Sequence, residues 1–464
     1  MKRLVLSVTA VAVMFAARAG VVYGGNEGAG GVLPENGGQV GGAKTAQYDV
    51  VVAGGGPSGI GAAYMAAKRG AKVLLLEKSG RLGGMAIQAM VSPFACNTES
   101  PTVGKIMGAL RVGRTVDFAE TDVLAYDLLR SVGADVLLHA TVTGPTMTGN
   151  RVTGVEAFCA EGKRVFRARV VIDATGDGIV AAAAGVPFEI GRVGDGLVQP
   201  MSIMFTIGGI EKGKRVWCGS EEEARRWKLG SRTWEEVVHD EIVAGNLPPE
   251  VGVIRLYDGP NASENVVNAT QVNRLFGVKS ADLTKAEITC RKQAFQVVDV
   301  LKRHVPGYAN AYVSGMPAVV GVRETRRFEG VERLEAEDCL SGRKRANAIA
   351  RNCSFVIDIH NPTGAGQADQ QDAYKTGEAR RVKPYDIPYG AIVPKKIEGL
   401  LFCGRCLSAS HEALASCRVM GCAMATGVGA GAAAAESVRT DVPLRDVKVE
   451  ALRLFEADRK PDRP

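Results

Sequence analysis

Apolar residues in this chain fall into short runs whose spacing changes from segment to segment. Tyr48 to Ala53 is a short run with a Val-Val-Val centre, the pattern of a strand covered on both faces. Ile60 to Arg69 follows in helical spacing with Gly70 as its C-cap, and Lys72 to Glu77 is a second short strand. Asp122 to Val132 has amphipathic helical spacing. Asp135 to Val171 breaks into short strands, with turns predicted at Gly144, Gly149–Asn150 and Glu161–Gly162. Arg169 to Ile172 is again a buried run. Beyond it the pattern predicts a strand over Pro200 to Gly208, helices over Glu221–Ala244 and Lys285–His304, and strands over Val319–Arg327 and Cys353–His360. Near the C-terminus, Leu400 to Phe402 is a strand, followed by a loop and a small-residue helix from Cys422 to Glu436.

The ends differ in character. Lys2 and Arg3 precede an apolar run of fourteen residues, Leu4 to Ala17, and Ala17-Arg18-Ala19 has the form of a cleavage site. Residues 1–19 are therefore expected to be an export signal, with an uncleaved anchor as the alternative. Fourteen residues are too few to cross a bilayer comfortably, and the basic segment has no twin arginine. Residues 20–46 are a Gly-rich linker. The expected division of the rest is a nucleotide-binding part over 47–186, an inserted substrate or cap domain over 187–384, the return of the first domain over 385–440, and a tail over 441–464.

At 464 residues and 46% hydrophobic content the chain can bury more than one core. Its formal charge is +7, of which Lys2, Arg3 and Arg18 belong to the leader, leaving 54 basic against 50 acidic residues. That small, dispersed excess gives no sign of a nucleic-acid partner. Ten cysteines in this length do not make a disulfide framework.

The first strand, helix and second strand form a βαβ unit whose turn reads Gly54-x-Gly56-x-x-Gly59, with Pro57 and Ser58 inside it and Glu77 at the end of the second strand. Gly54 permits the tight turn, Gly56 lets backbone approach a pyrophosphate, and Gly59 allows close helix packing. Helix N–H groups then hold the phosphates, and Glu77 is placed to accept from ribose hydroxyls. NAD and FAD share this fingerprint. Three further segments resemble those of FAD proteins of the glutathione-reductase type: Lys78-Ser-Gly-Arg-Leu-Gly83-Gly84-Met85, Ala174-Thr175-Gly176-Asp177, and Gly404-Arg405-Cys406-Leu407-Ser408 through His411 to Arg418-Val419-Met420-Gly421. Together with Gly321-Val322-Arg323-Glu324-Thr325-Arg326, these resemble the FAD-dependent oxidoreductases related to the flavin subunit of heterodisulfide reductase. The resemblance implies an α/β fold: a Rossmann-like FAD-binding domain of the glutathione-reductase type with an inserted α+β cap. It also implies FAD contacts at Gly54, Gly56, Pro57, Ser58, Gly59, Glu77, Lys78, Gly84, Met85, Val142, Ala174 to Asp177, Gly404, Arg405, Met420 and Gly421. The N-terminus of the last helix would face the flavin pyrimidine edge.

Candidate chemistry lies in His411, Arg323, Arg326 and Arg418, with His360 behind them. A guanidinium near flavin could bind a substrate carboxylate or stabilise reduced flavin, and a histidine could move the matched proton. If Val322 to Arg327 is a strand, Arg323 and Arg327 share one face while Glu324 and Arg326 share the other. Cys403-x-x-Cys406 is open to three readings: a redox pair, ligands with Cys417 and Cys422 to a 4Fe-4S cluster, or structural thiols. No other metal site is expected. No second dinucleotide fingerprint follows a strand, so a small polar substrate would exchange hydride or electrons directly with flavin, and an unidentified acceptor or donor would complete the cycle. The alternative is an electron-transfer subunit using Cys403 and Cys406.

Overall fold

The computed structural model describes residues 47–95, 98–113, 115–366 and 381–455. The leader, the linker and Cys96 lie outside the described residues. Strand β1 (Gln47–Ala53) leads through helix α1 (Pro57–Lys68) into β2 (Val73–Leu76), which pairs parallel with β1. β3 (Asp135–Leu137) adds parallel to β2. β4 (Thr141–Thr148), β5 (Arg151–Cys159) and β6 (Gly162–Asp173) form an antiparallel meander. The last half of β6 then runs parallel to β1 on one side and to the strand Leu400–Phe402 on the other. One long strand thus carries both the meander and the parallel core. Val50, Val51 and Val52 are fully buried, which explains why their run does not alternate. Each such side chain contributes about 1.5–3 kcal/mol on burial. Gly144 makes no turn: it lies within β4, where the register slips between Val142 and Gly144, a bulge rather than a reversal.

The C-terminal helix, Met420–Thr440, is longer than expected and lies against α1. A Cβ on Gly427 would sit 1.9 Å from the Ser58 carbonyl oxygen, and one on Gly431 would sit 2.2 Å from that of Ala62. The two helices meet backbone to backbone, so these glycines serve packing. The segment before this helix is not all loop, because His411–Cys417 is a short helix capped by the Ser410 hydroxyl, which accepts from Ala413 N–H. No single helix among the described residues is long and apolar enough to cross a membrane.

The inserted part is built on a four-stranded antiparallel sheet in the order Arg255–Asp258, Asn265–Asn268, Met204–Gly208, Tyr312–Gly315, with the 25-residue helix Ser280–His304 in the same core. The helical pattern over 221–244 is interrupted at Trp227, where a small hairpin separates Glu221–Arg226 from Trp234–Val243. The second core runs from Met201 to Val320. Leu334, Cys339 and the strand Ala348–Cys353, grouped above with the insertion, instead pack in the first core, because that strand pairs with Tyr385–Pro388 and Ile349 meets Gly429. The predicted tail also packs there through Leu444, Val449 and Leu452.

Candidate functional site

Two of the fingerprint glycines are demanded by close backbone contacts, and the third by open space. Gly54 has φ +103°, and a Cβ there would lie 2.5 Å from the Ala174 carbonyl oxygen. On Gly59 it would lie 1.8 Å from the Gly54 carbonyl oxygen, so that glycine is demanded by the turn itself. Gly56 is different: its backbone is extended, and a Cβ would meet nothing nearer than the Gly84 Cα at 3.7 Å. Gly56 keeps open space over the start of α1, whose first turn has no side-chain cap. Gly84 (φ +50°) closes over Gly56, and Gly83 N–H donates to the Gly55 carbonyl at 2.8 Å. Met85 begins a short helix beyond them, and Lys78 is exposed.

Glu77 is buried and pinned. One carboxylate oxygen accepts from Gly55 N–H at 2.7 Å, and the other accepts from the Ser79 N–H and hydroxyl, each at 2.9 Å. Asp173, at the end of β6, accepts from Thr175 and from Ala181 N–H, which fixes the turn Ala174–Asp177. Burial raises its pKa, against those hydrogen bonds. Asp177 and Arg405 form an ion pair at 2.8 Å, so these two expected cofactor contacts engage each other. Gly404 (φ +75°) abuts the Ser58 hydroxyl, and its N–H donates to Thr426. Val142 is buried in the core beside the meander. At the start of the C-terminal helix no side chain caps Val419, but Gly421 N–H donates to the Ala95 carbonyl, so that N–H is already occupied. The open space at Gly56 and the uncapped helix above it fit a dinucleotide pyrophosphate.

The residues expected to carry chemistry separate into two groups. Of the predicted 319–327 strand only Arg326 and Arg327 lie in a strand, Arg326–Phe328, which overturns the facial assignment made for that segment. Glu324 and Arg327 are both buried and form an ion pair with each other. Glu324 also accepts from Gln199 N–H at 3.1 Å and lies 2.9 Å from His411 Nδ1. Arg327 donates to the carbonyls of Gly191 and Ala409. Arg326 donates to the Asp177 carbonyl and lies over the Phe188 ring, so it braces the Ala174–Asp177 loop and takes no part in this network. Arg418 donates to Gln199 Oε1 at 3.2 Å and to both the carbonyl and the carboxylate of Asp358. Three buried atoms of this network have no partner among the described residues: His411 Nε2, Gln199 Nε2 and Arg418 Nε. Such atoms are costly unless a bound group satisfies them.

Asp358 continues the network to His360, whose Nε2 lies 3.6 Å from its carboxylate. His360, Arg323 and Arg255 then line a small polar cavity with Asn268, Thr270 and Gln271. Burial lowers the pKa of His360 to about 3, with Arg323 adding to the effect, so this histidine is neutral at pH 7. Burial opposes ionisation of Asp358, but His360, Arg418 and Arg323 outweigh it and hold its carboxyl well below the usual range. Because the unfolded chain protonates this histidine near 6.5 and the folded chain does not, stability is expected to fall as pH drops from about 6.5 towards 3, with Asp358 adding a loss below about 3.8. Thermal melts of His360→Gln should therefore show a flatter acid limb between pH 6.5 and 4 than the parent. Identical limbs would refute this assignment.

Cys403 and Cys406 are buried free thiols. Burial pushes Cys403 up to about 12 and Cys406 well above its usual value. Cys406 Sγ lies 3.4 Å from the Cys403 carbonyl oxygen, and neither thiol has the environment of a reactive thiolate. Cys417 and Cys422 lie near the Tyr385 phenol with Cys339 and Cys353. No group of three or more His, Cys, Asp or Glu among the described residues is arranged to hold a metal. Gln199, Glu324, Asp358 and Arg255 were not singled out by spacing. Only Glu324 sits inside a recognised motif.

Fold and site together define a dinucleotide-binding α/β protein with a second, inserted core. The chain belongs to the FAD dependent oxidoreductase family, which it matches over residues 49–454, and FAD is its cofactor. Among its relatives is a digeranylgeranylglycerophospholipid reductase of Methanococcoides burtonii, 32% identical over 155 residues, 28% of this chain and 38% of that protein. Another, from Methanocaldococcus jannaschii, is 31% identical over 218 residues, 40% of this chain and 56% of that protein. The chain thus spans about half or less of the curated relatives it matches. A geranylgeranyl bacteriochlorophyll reductase-like structure from Thermoplasma acidophilum is 16% identical, covers 86% of this chain and 80% of its own, and has a TM-score of 0.44. These relatives are named for geranylgeranyl reduction, not for heterodisulfide reduction.

Proposed function

We propose that this FAD-dependent oxidoreductase transfers hydride between its flavin and a small polar organic substrate held at the seam between the cofactor half and the cap. The observation that carries this reading is the buried network Arg327–Glu324–His411 and Gln199–Arg418–Asp358, which ends in three unpartnered polar atoms. FAD, when bound, supplies the hydride donor or acceptor. Glu324 accepts from Nδ1 of His411, which fixes the tautomer and leaves Nε2 free to take or return a proton. A long isoprenoid, the substrate named for the archaeal relatives, would need an apolar channel, whereas this cavity is lined by guanidinium, imidazole and amide groups. Export through the Lys2–Ala19 leader, an external electron partner and kinship with the heterodisulfide reductase flavin subunit belong to the same proposal. The last of these rests on the Gly321–Arg326 segment. Anaerobic mixing of the FAD-loaded chain with hydroxy acids, amines, thiols and sugars should bleach the flavin with at least one class. Full oxidation retained with every class would defeat the reading.

A further inference from the structure

The wall of the cap cavity holds one guanidinium with no ion-pair contact, Arg323. Arg255 is buried and paired with Glu221. Arg418 is paired with Asp358 at 3.2 Å. Arg323 makes one hydrogen bond, to the Pro200 carbonyl at 2.7 Å, and no carboxylate among the described residues lies within ion-pair distance of it. Glu250 borders the same cavity without pairing with it. Burial, together with Arg418 and Arg255 and against the Asp358 carboxylate further off, lowers the Arg323 pKa to about 9, so the guanidinium is still charged at neutral pH. Enclosing an unpaired cation is costly unless a counterion arrives. A guanidinium with a carbonyl on one nitrogen and a cavity beside it offers its remaining donors in the planar fork that suits a carboxylate.

We infer that this cavity binds the carboxylate of a small organic substrate, with Arg323 as the group that contacts it. The inference rests on the proposed function, since it names a substrate class for it; the cavity connects to the His411 network through His360, Asp358 and Arg418. His360 is neutral and on the same wall, so it adds no competing charge.

The test uses the FAD-loaded full chain, titrated calorimetrically and by thermal melting with glycolate, lactate and succinate, then with the corresponding amides and with inorganic phosphate. Saturable binding and a rise in Tm are expected with at least one carboxylate and absent with its amide. Arg323→Met should weaken that binding about 30-fold or more, and Arg323→Lys should restore part of it. The lysine variant also keeps the test valid if the methionine variant does not fold. Equal response to acid and amide, binding of phosphate alone, or carboxylate binding unchanged in both variants would overturn the assignment. The two proposals fail separately. Bleaching only by uncharged substrates would remove the carboxylate site and leave the oxidoreductase. Tight carboxylate binding with no flavin reduction by any compound would do the reverse.

Discussion

Gly56→Val is expected to leave the apoprotein folded and to lower its affinity for FAD by about 100-fold or more, near 2.7 kcal/mol. The backbone at Gly56 is extended (φ −74°, ψ −176°), a conformation β-branched residues adopt readily, and the only atom near a Cβ is the Gly84 Cα at 3.7 Å. The new side chain would therefore stand in the space above the start of α1. Gly59→Ala should behave differently: its Cβ would collide with the Gly54 carbonyl, so both the fold and FAD binding should suffer. Apoprotein melts alongside fluorescence titration with FAD separate the two. Unchanged FAD affinity in Gly56→Val would mean that the pyrophosphate does not lie over this turn.

Arg327→Met is expected to cost about 3–5 kcal/mol of stability, because it strands the Glu324 carboxylate in the interior. Both groups are almost fully buried, and the pair joins three stretches: Gly191 to Gln199, Glu324 to Arg327, and Ala409 to His411. Removing the charge from both partners, as Arg327→Met with Glu324→Gln, should recover part of the loss, since no bare carboxylate then remains. Calorimetric melts of the parent and the two variants measure this. A single-variant loss under about 1 kcal/mol would show that the pair is not the buried clamp described here.

The cofactor half was legible because local rules and the fold agree there. The Val50–Val52 run, the three fingerprint glycines and Glu77 lie within twenty-eight residues, and each has a local structural reason to be what it is. The remaining cofactor segments, Ala174–Asp177 and Gly404–Gly421, were placed by resemblance, and their internal pairings were not visible. Asp177 with Arg405, and Gly421 with Ala95, are contacts between segments far apart in sequence. The chemical residues were harder still. Alternation along 322–327 presumed a strand, but Val322 to Thr325 are irregular, which lets Glu324 turn back to Arg327. Arg326 proved to be a brace. Gln199 and Asp358 meet through Arg418, and Arg255 shares a cavity wall with His360; they come from separate parts of the chain, so no local spacing marks them.

The central claim is that the three distant segments close into one FAD site. The most direct measurement is the absorption spectrum and flavin content of the purified full chain after loading with FAD. One bound FAD per chain, with the oxidised-flavin bands and release of free FAD on denaturation, is the predicted result. A colourless protein that retains no flavin under any loading condition would contradict the account.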